Sequence, residues 1–110
     1  MKKQLVSIAM LLPILVFGAG RSDTGYIRDV HYMSNGAVIF SSTGARTGTP
    51  GCASSQPTRW AIPASTPQGK VQLAGLLSAY HANKPVIVLG TGDCSVWSDT
   101  ESVNYFHTVE

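Results

Sequence analysis

Three rhythms of hydrophobic and polar positions divide this chain. The first is an almost unbroken apolar run over residues 5–17, interrupted only by Ser7 and Pro13. The second is a pair of short segments rich in β-branched and aromatic residues, 26–33 and 37–41, separated by Ser34-Asn35-Gly36. Asn-Gly suits the two central positions of a tight hairpin turn, where φ is positive at both. The two segments therefore predict a β-hairpin. Arg59-Trp60-Ala61-Ile62 predicts a short third strand, reached through a polar, aperiodic loop over 43–58 that holds Gly44, Gly48, Gly51, Pro50 and Pro57.

The third rhythm is helical. Leu73, Leu76, Leu77 and Tyr80 recur at i, i+3, i+4 and i+7, which lays one apolar stripe on a sheet. Ser65 with Gln68 reads as a capping box, and Thr66 before Pro67 is an equally good start. Asn83 suits a left-handed C-terminal position and Pro85 bars continuation, so the helix spans about 67–82. Val86-Ile87-Val88-Leu89 predicts a central strand, and 90–94 a turn. Residues 95–100 read as loop, and Val103, Tyr105, His107 and Val109 alternate with more polar neighbours in a last strand. The expected fold is mainly β with one helix, in the order β-β-β-α-β-β. That order fits an OB-fold-like five-stranded barrel, with a two-layer α+β sheet of another topology as the competitor.

The apolar run changes the reading of charge. Lys2 and Lys3 precede it, and Gly18, Ala19 and Gly20 follow it. A basic start, a short apolar stretch and small residues describe a secretory signal peptide. Cleavage after Gly20 or after Gly18 satisfies the small-residue rule, and the sequence does not choose. The alternative is an uncleaved anchor, for which the run is short. The expected division is residues 1–20 as signal peptide and 21–110 as one domain. The whole chain has eight Lys+Arg against six Asp+Glu, a formal net of +2. Losing Lys2 and Lys3 leaves six of each. The apparent basicity is then targeting information. The scattered arginines and lysines lack the clustering that nucleic-acid binding needs. With 44% hydrophobic and only 13% charged residues, the chain can build a packed core.

Two cysteines, Cys52 and Cys94, allow one intramolecular pairing in an oxidising compartment. Neither has the nearby Cys or His of a zinc site, and no metal or cofactor is expected. Catalysis has little support. His31, His81 and His107 fall on a strand, a helix and a strand, and no Gly-x-Ser-x-Gly elbow occurs. Asp93, Asp99 and Glu101 gather near Cys94; turn hydrogen bonding is the plainer role for them, with glycoside hydrolysis as the sharper one. Gly90-x-Gly92 lacks the following helix of a phosphate loop and reads as a tight turn. Trp60 reads as core. Trp97, in the polar loop after Cys94, either covers the disulfide or offers an exposed ring for a sugar face, with Asp side chains near to accept hydroxyls.

The segment from Gly51-Cys52 to Arg59-Trp60-Ala61, a Cys eight residues before a Trp-Ala pair, followed by a helix and Asn83-Lys84-Pro85-Val86-Ile87-Val88, resembles the B subunits of the subtilase cytotoxin and typhoid toxin group. The resemblance implies a secreted OB-fold domain, a homopentameric ring and a glycan ligand. It also implies a serine before the first strand at the ligand, for which Ser22, followed by Asp23, is the match. A pocket tyrosine after the helix in that family falls here on aliphatics, Val88 and Leu89. The family's second disulfide cysteine, in strand two, has no counterpart in 37–41.

The expected function is thus a secreted or periplasmic binding domain, not an enzyme, with a glycan or protein ligand. The expected ligand-binding residues are Ser22, Asp23, Asp93, Trp97 and Asp99. The second reading is a stand-alone periplasmic interaction or structural protein. Neither uses nucleic acid, nor a membrane once the signal is removed.

Overall fold

The computed structural model describes residues 18–110; the expected signal segment lies almost wholly outside the described residues. The elements run β1 (Arg21–Ser22), β2 (Ile27–Tyr32), β3 (Val38–Ser42), β4 (Arg46–Thr47), β5 (Arg59–Ile62), α1 (Pro67–His81), β6 (Val86–Gly90) and β7 (Glu101–Thr108). A 3₁₀ turn, Gly51–Ala53, sits between β4 and β5. The described residues are mainly β with one helix, as the hydrophobic rhythm predicts. No helix among the described residues is long and apolar enough to cross a membrane.

All seven strands join one mixed sheet in the order β2-β3-β5-β7-β6-β1-β4. Only β5 and β7 pair in parallel. Residues 21–32 begin at one side of this sheet, where Arg21 faces Leu89 of β6, and end at the other, where Tyr32 faces Val38 of β3. Midway, Gly25 and Val86 exchange both backbone hydrogen bonds, at 3.0 and 2.7 Å. One stretch of chain thus spans both ends of the sheet and curls it into a half-barrel. The count of five strands becomes seven because β1 and β4, two residues each, form only by pairing with each other and with β6. The polar lead-in at 21–25 is ordered for the same reason.

The sheet packs around Phe40, Trp60, Ile62, Leu76, Val86 and Val88, each at most 1% exposed. Each such side chain contributes about 1.5–3 kcal/mol. Thr66 proves to be the N-cap of α1, its hydroxyl accepting from the Gly69 amide at 3.0 Å. Asn83 takes the left-handed conformation at the other end, φ 54°. The helix buries Gly69, Leu76 and Ala79, whereas Tyr80 is 39% exposed. Its contact stripe is therefore rotated from the expected one towards its smaller residues, which lets the helix approach β2 and β5.

Two irregularities correct the strand patterns. The hairpin turn is not a two-residue Asn-Gly loop. The Gly36 amide donates to Met33 O, and only Gly36 has positive φ, +93°. The result is an ordinary turn closed by a left-handed glycine, the three-residue hairpin geometry. In β7 the alternation changes phase: Leu89 faces Tyr105 but Gly90 faces Val103, which leaves Asn104 as the extra residue. Val103 and Phe106 therefore turn to the core, and Tyr105 is half exposed.

Cys52 and Cys94 form a disulfide, 6.2 Å between Cα atoms and 42 residues apart in sequence. It ties the 3₁₀ turn to the loop before β7. Such a bond is consistent with an oxidising compartment.

Candidate functional site

β7 opens with a fully buried acid. Glu101 Oε2 accepts from the amides of Gly20 and Gly92 at 2.8 and 2.9 Å, and Oε1 accepts from Arg46 Nη2. The Arg46 side chain is only 5% exposed. Its Nη1 donates to the carbonyls of Pro57 and Arg59, and its guanidinium lies over the Trp60 ring. Burial pulls the Arg46 guanidinium below its ordinary value, opposed by the hydrogen bond and charge of Glu101. This cluster is structural: every acceptor of Glu101 points inward.

On the other side of Glu101 the chain makes a tight turn. The Thr100 amide donates to Trp97 O at 3.0 Å. This buries Thr100 and leaves Trp97 half-buried, with Ser98 and Asp99 at the tip. Arg59, one residue before Trp60 in β5, projects to the opposite face from the buried indole. Its Nη2 donates to Thr100 Oγ1 at 3.0 Å and to Asp99 Oδ1 at 3.3 Å. Asp99 also accepts from the Thr100 hydroxyl at 2.9 Å.

The third contributor is β2. It pairs Arg28 with Ser41 and His31 with Ile39, so Asp29 and Val30 together face one residue of β3. Asp29 has φ 53°. This bulge bends the strand and sets the facing of His31. His31 Nδ1 lies 2.8 Å from Asp29 O. A carbonyl only accepts, so Nδ1 is the donor in this contact, and the exposed ring leaves Nε2 without a partner in the sheet.

His31, Met33, Ile39, Arg59, Trp97 and Asp99 line a groove of about 270 Å³. Its floor is the buried Ile39; its rim carries an aromatic ring, an ion pair and an imidazole. That combination offers one apolar face and several directional polar groups, which suits a small polar ligand with a flat apolar side.

Of the five ligand residues expected from sequence, the groove gathers two, Trp97 and Asp99. Ser22 is 1% exposed in β1, and its hydroxyl accepts from the Val88 amide at 3.0 Å. That hydroxyl serves the sheet and does not reach solvent. Asp23 is exposed beside β1. Asp93 is exposed in the turn after β6, accepting from the Thr91 hydroxyl and the Ser95 amide. These bonds, that of Thr91 first, hold its carboxyl below the usual 3.8. The acidic cluster expected at 93–101 is thus three separately held groups: a turn acceptor, a groove ion pair and a buried ion pair. Among the described residues no group of three or more His, Cys, Asp or Glu is arranged to hold a metal ion.

No family model, curated protein or solved structure matches this chain. The site therefore stands on its geometry alone. Sequence reasoning missed Arg59, His31, Met33 and Ile39. Alternation in β5 does place Arg59 opposite Trp60, but nothing local announces that the bulge at Asp29 brings His31 to the same groove.

Proposed function

We propose that this chain is a secreted binding domain whose groove between β2, β5 and the 97–100 turn takes a glycan. One observation carries the reading: a half-buried tryptophan, Trp97, shares a groove with the Arg59–Asp99 pair and His31. A sugar ring stacks its apolar face on the indole, and its hydroxyls meet Asp99, Arg59 and the His31 Nε2. Both internal bonds of Arg59 use Nη2 and Nε is buried, so Nη1 is the donor left to offer.

The wider reading is an OB-fold-like barrel of the toxin B-subunit kind. Counting residues 21–32 as one coiled strand, and β4 as the continuation of β3, reduces the sheet to five strands. The parallel β5–β7 pairing and the helix between β5 and β6 support that architecture. A homopentameric ring belongs to the same proposal, as does delivery to the periplasm or beyond, which the Cys52–Cys94 disulfide supports.

The test is native mass spectrometry of the oxidised, processed protein, followed by a glycan array. A pentamer that retains one glycan class supports the reading. A monomer that retains none favours the stand-alone interaction protein. Glycan binding unaffected by Trp97→Ala would remove the groove from the proposal.

A further inference from the structure

The buried acid of β7 bears on which of two bonds near the start of the described chain can be cut without loss to the fold. Two bonds suit the small-residue rule: the one after Gly20, with Gly18 and Gly20 at the two positions, and, nearly as well, the one after Gly18, with Val16 and Gly18 there. They are not equivalent in the fold. The Gly20 amide donates to Glu101 Oε2 at 2.8 Å, and the Gly20 carbonyl accepts from the Gly90 amide at 2.9 Å. Gly20 is buried, whereas Ala19 and Gly18 are exposed. A side chain at residue 20 would run into the Glu101 carboxylate and approach Arg46 Nε, so the close fit requires glycine. Gly20 is thus a working member of the Glu101 cradle.

We propose that the signal peptide is removed after Gly18, leaving Ala19 as the first residue of the processed protein. The inference rests on the secretion reading and adds to it the site of cleavage. Cutting after Gly20 would withdraw one of the donors to a fully buried carboxylate and the acceptor of the Gly90 amide. Groups left unpaired in such a place carry their full desolvation cost. Cutting after Ala19 would place Phe17 where a small residue is needed. Cutting after Gly18 keeps both Gly20 hydrogen bonds and removes only Gly18, an exposed residue at the edge of a cavity of about 580 Å³ lined by Gly18, Ala19, Gly48, Thr49, Pro50 and Gly92 among others. The new ammonium at Ala19 opens onto that cavity, so the added charge stays hydrated.

The test uses the full chain, exported from a bacterial host, with N-terminal sequencing and intact mass. The expected N-terminus is Ala19. Gly20→Ala gives the test a second arm, because alanine is as small as the processing rule requires. With cleavage after Gly18, the exported variant is one methylene heavier than wild type and melts at a lower temperature. An N-terminus at Arg21, with a Gly20→Ala product of the same mass and melting temperature as wild type, would overturn the assignment while leaving secretion intact. A chain recovered at the mass of residues 1–110 would overturn the secretion reading and this inference with it. Processing after Gly18 with unchanged melting of Gly20→Ala would overturn the role given to Gly20.

Discussion

The Arg46 guanidinium lies 3.7 Å from the centroid of the Trp60 ring. The stack sets the guanidinium between the buried indole and its hydrogen-bond partners. On one edge Arg46 holds Glu101; on the other it ties down the carbonyls of Pro57 and Arg59. Stacking of this kind is worth about 2 kcal/mol when desolvated. It places a full positive charge within an otherwise apolar core without leaving that charge alone.

Removing one member of the Arg46–Glu101 ion pair is expected to be costly. Glu101→Leu or Arg46→Met leaves the partner's charge buried and uncompensated, for a loss of about 3–5 kcal/mol. Replacing both together, as Arg46→Met with Glu101→Leu, recovers part of that loss. Urea midpoints for the four proteins measure it. A loss in the double variant equal to the sum of the two single losses would contradict coupling between the residues.

Trp97 separates binding from stability. It is half-buried, so Trp97→Ala is expected to lower stability by about 1–2 kcal/mol while abolishing glycan retention. Arg59→Ala, which frees Asp99, is expected to weaken retention as well. Isothermal titration with the glycan found on the array, alongside a thermal melt, reads both quantities.

The disulfide closes a loop between residues 42 positions apart. Loop-closure entropy then predicts a loss of about 4 kcal/mol when Cys52 and Cys94 are both replaced by serine. The loss is read from the urea midpoint of the double variant against the oxidised protein.

Acid sensitivity has one identifiable surface contributor. Asp93 has its carboxyl held below 3.8 by Thr91 and Ser95. The folded protein therefore takes up this proton less readily than the unfolded chain. The stabilisation is fully present above about pH 5 and is lost as pH falls through the lower, folded-state value. Because the group is exposed, the effect is small. Asp93→Asn is expected to flatten the acid limb of a stability profile slightly and to leave the neutral plateau almost unchanged.

Capping is testable at Thr66. Its hydroxyl accepts from the Gly69 amide and donates to Pro63 O. Thr66→Ala is expected to cost about 1 kcal/mol, whereas Ser65→Ala, which alters the rival cap, is expected to cost almost nothing. Thermal melts of the two variants decide between them.

Elements set by near neighbours in sequence were legible beforehand. Pro67 with Thr66, the Leu76 stripe and Asn83 bound the helix; two cysteines admit one pairing; Arg59 to Ile62 is a strand on composition alone. Features made by distant pairing were not legible. β1 and β4 exist because Arg21 and Ser22 meet Thr47 and Arg46 across the sheet. Glu101 looked like one of three surface acids because its partner, Arg46, lies 55 residues away. The groove was half visible for the same reason. Trp97 and Asp99 share a turn, but Arg59 and His31 arrive through the register of β3 against β5 and the bulge at Asp29.

The bond from Gly20 to Glu101 spans 81 residues, joining the beginning of the described chain to its last strand. A polypeptide emerging amino end first cannot make that contact until nearly all of it has been synthesised. The parallel partner of β5 arrives equally late, since β7 supplies it. Closure is therefore delayed by topology, in the way that non-local pairing slows folding generally. Until the final residues appear, the sheet lacks the strand that joins β5 to β6.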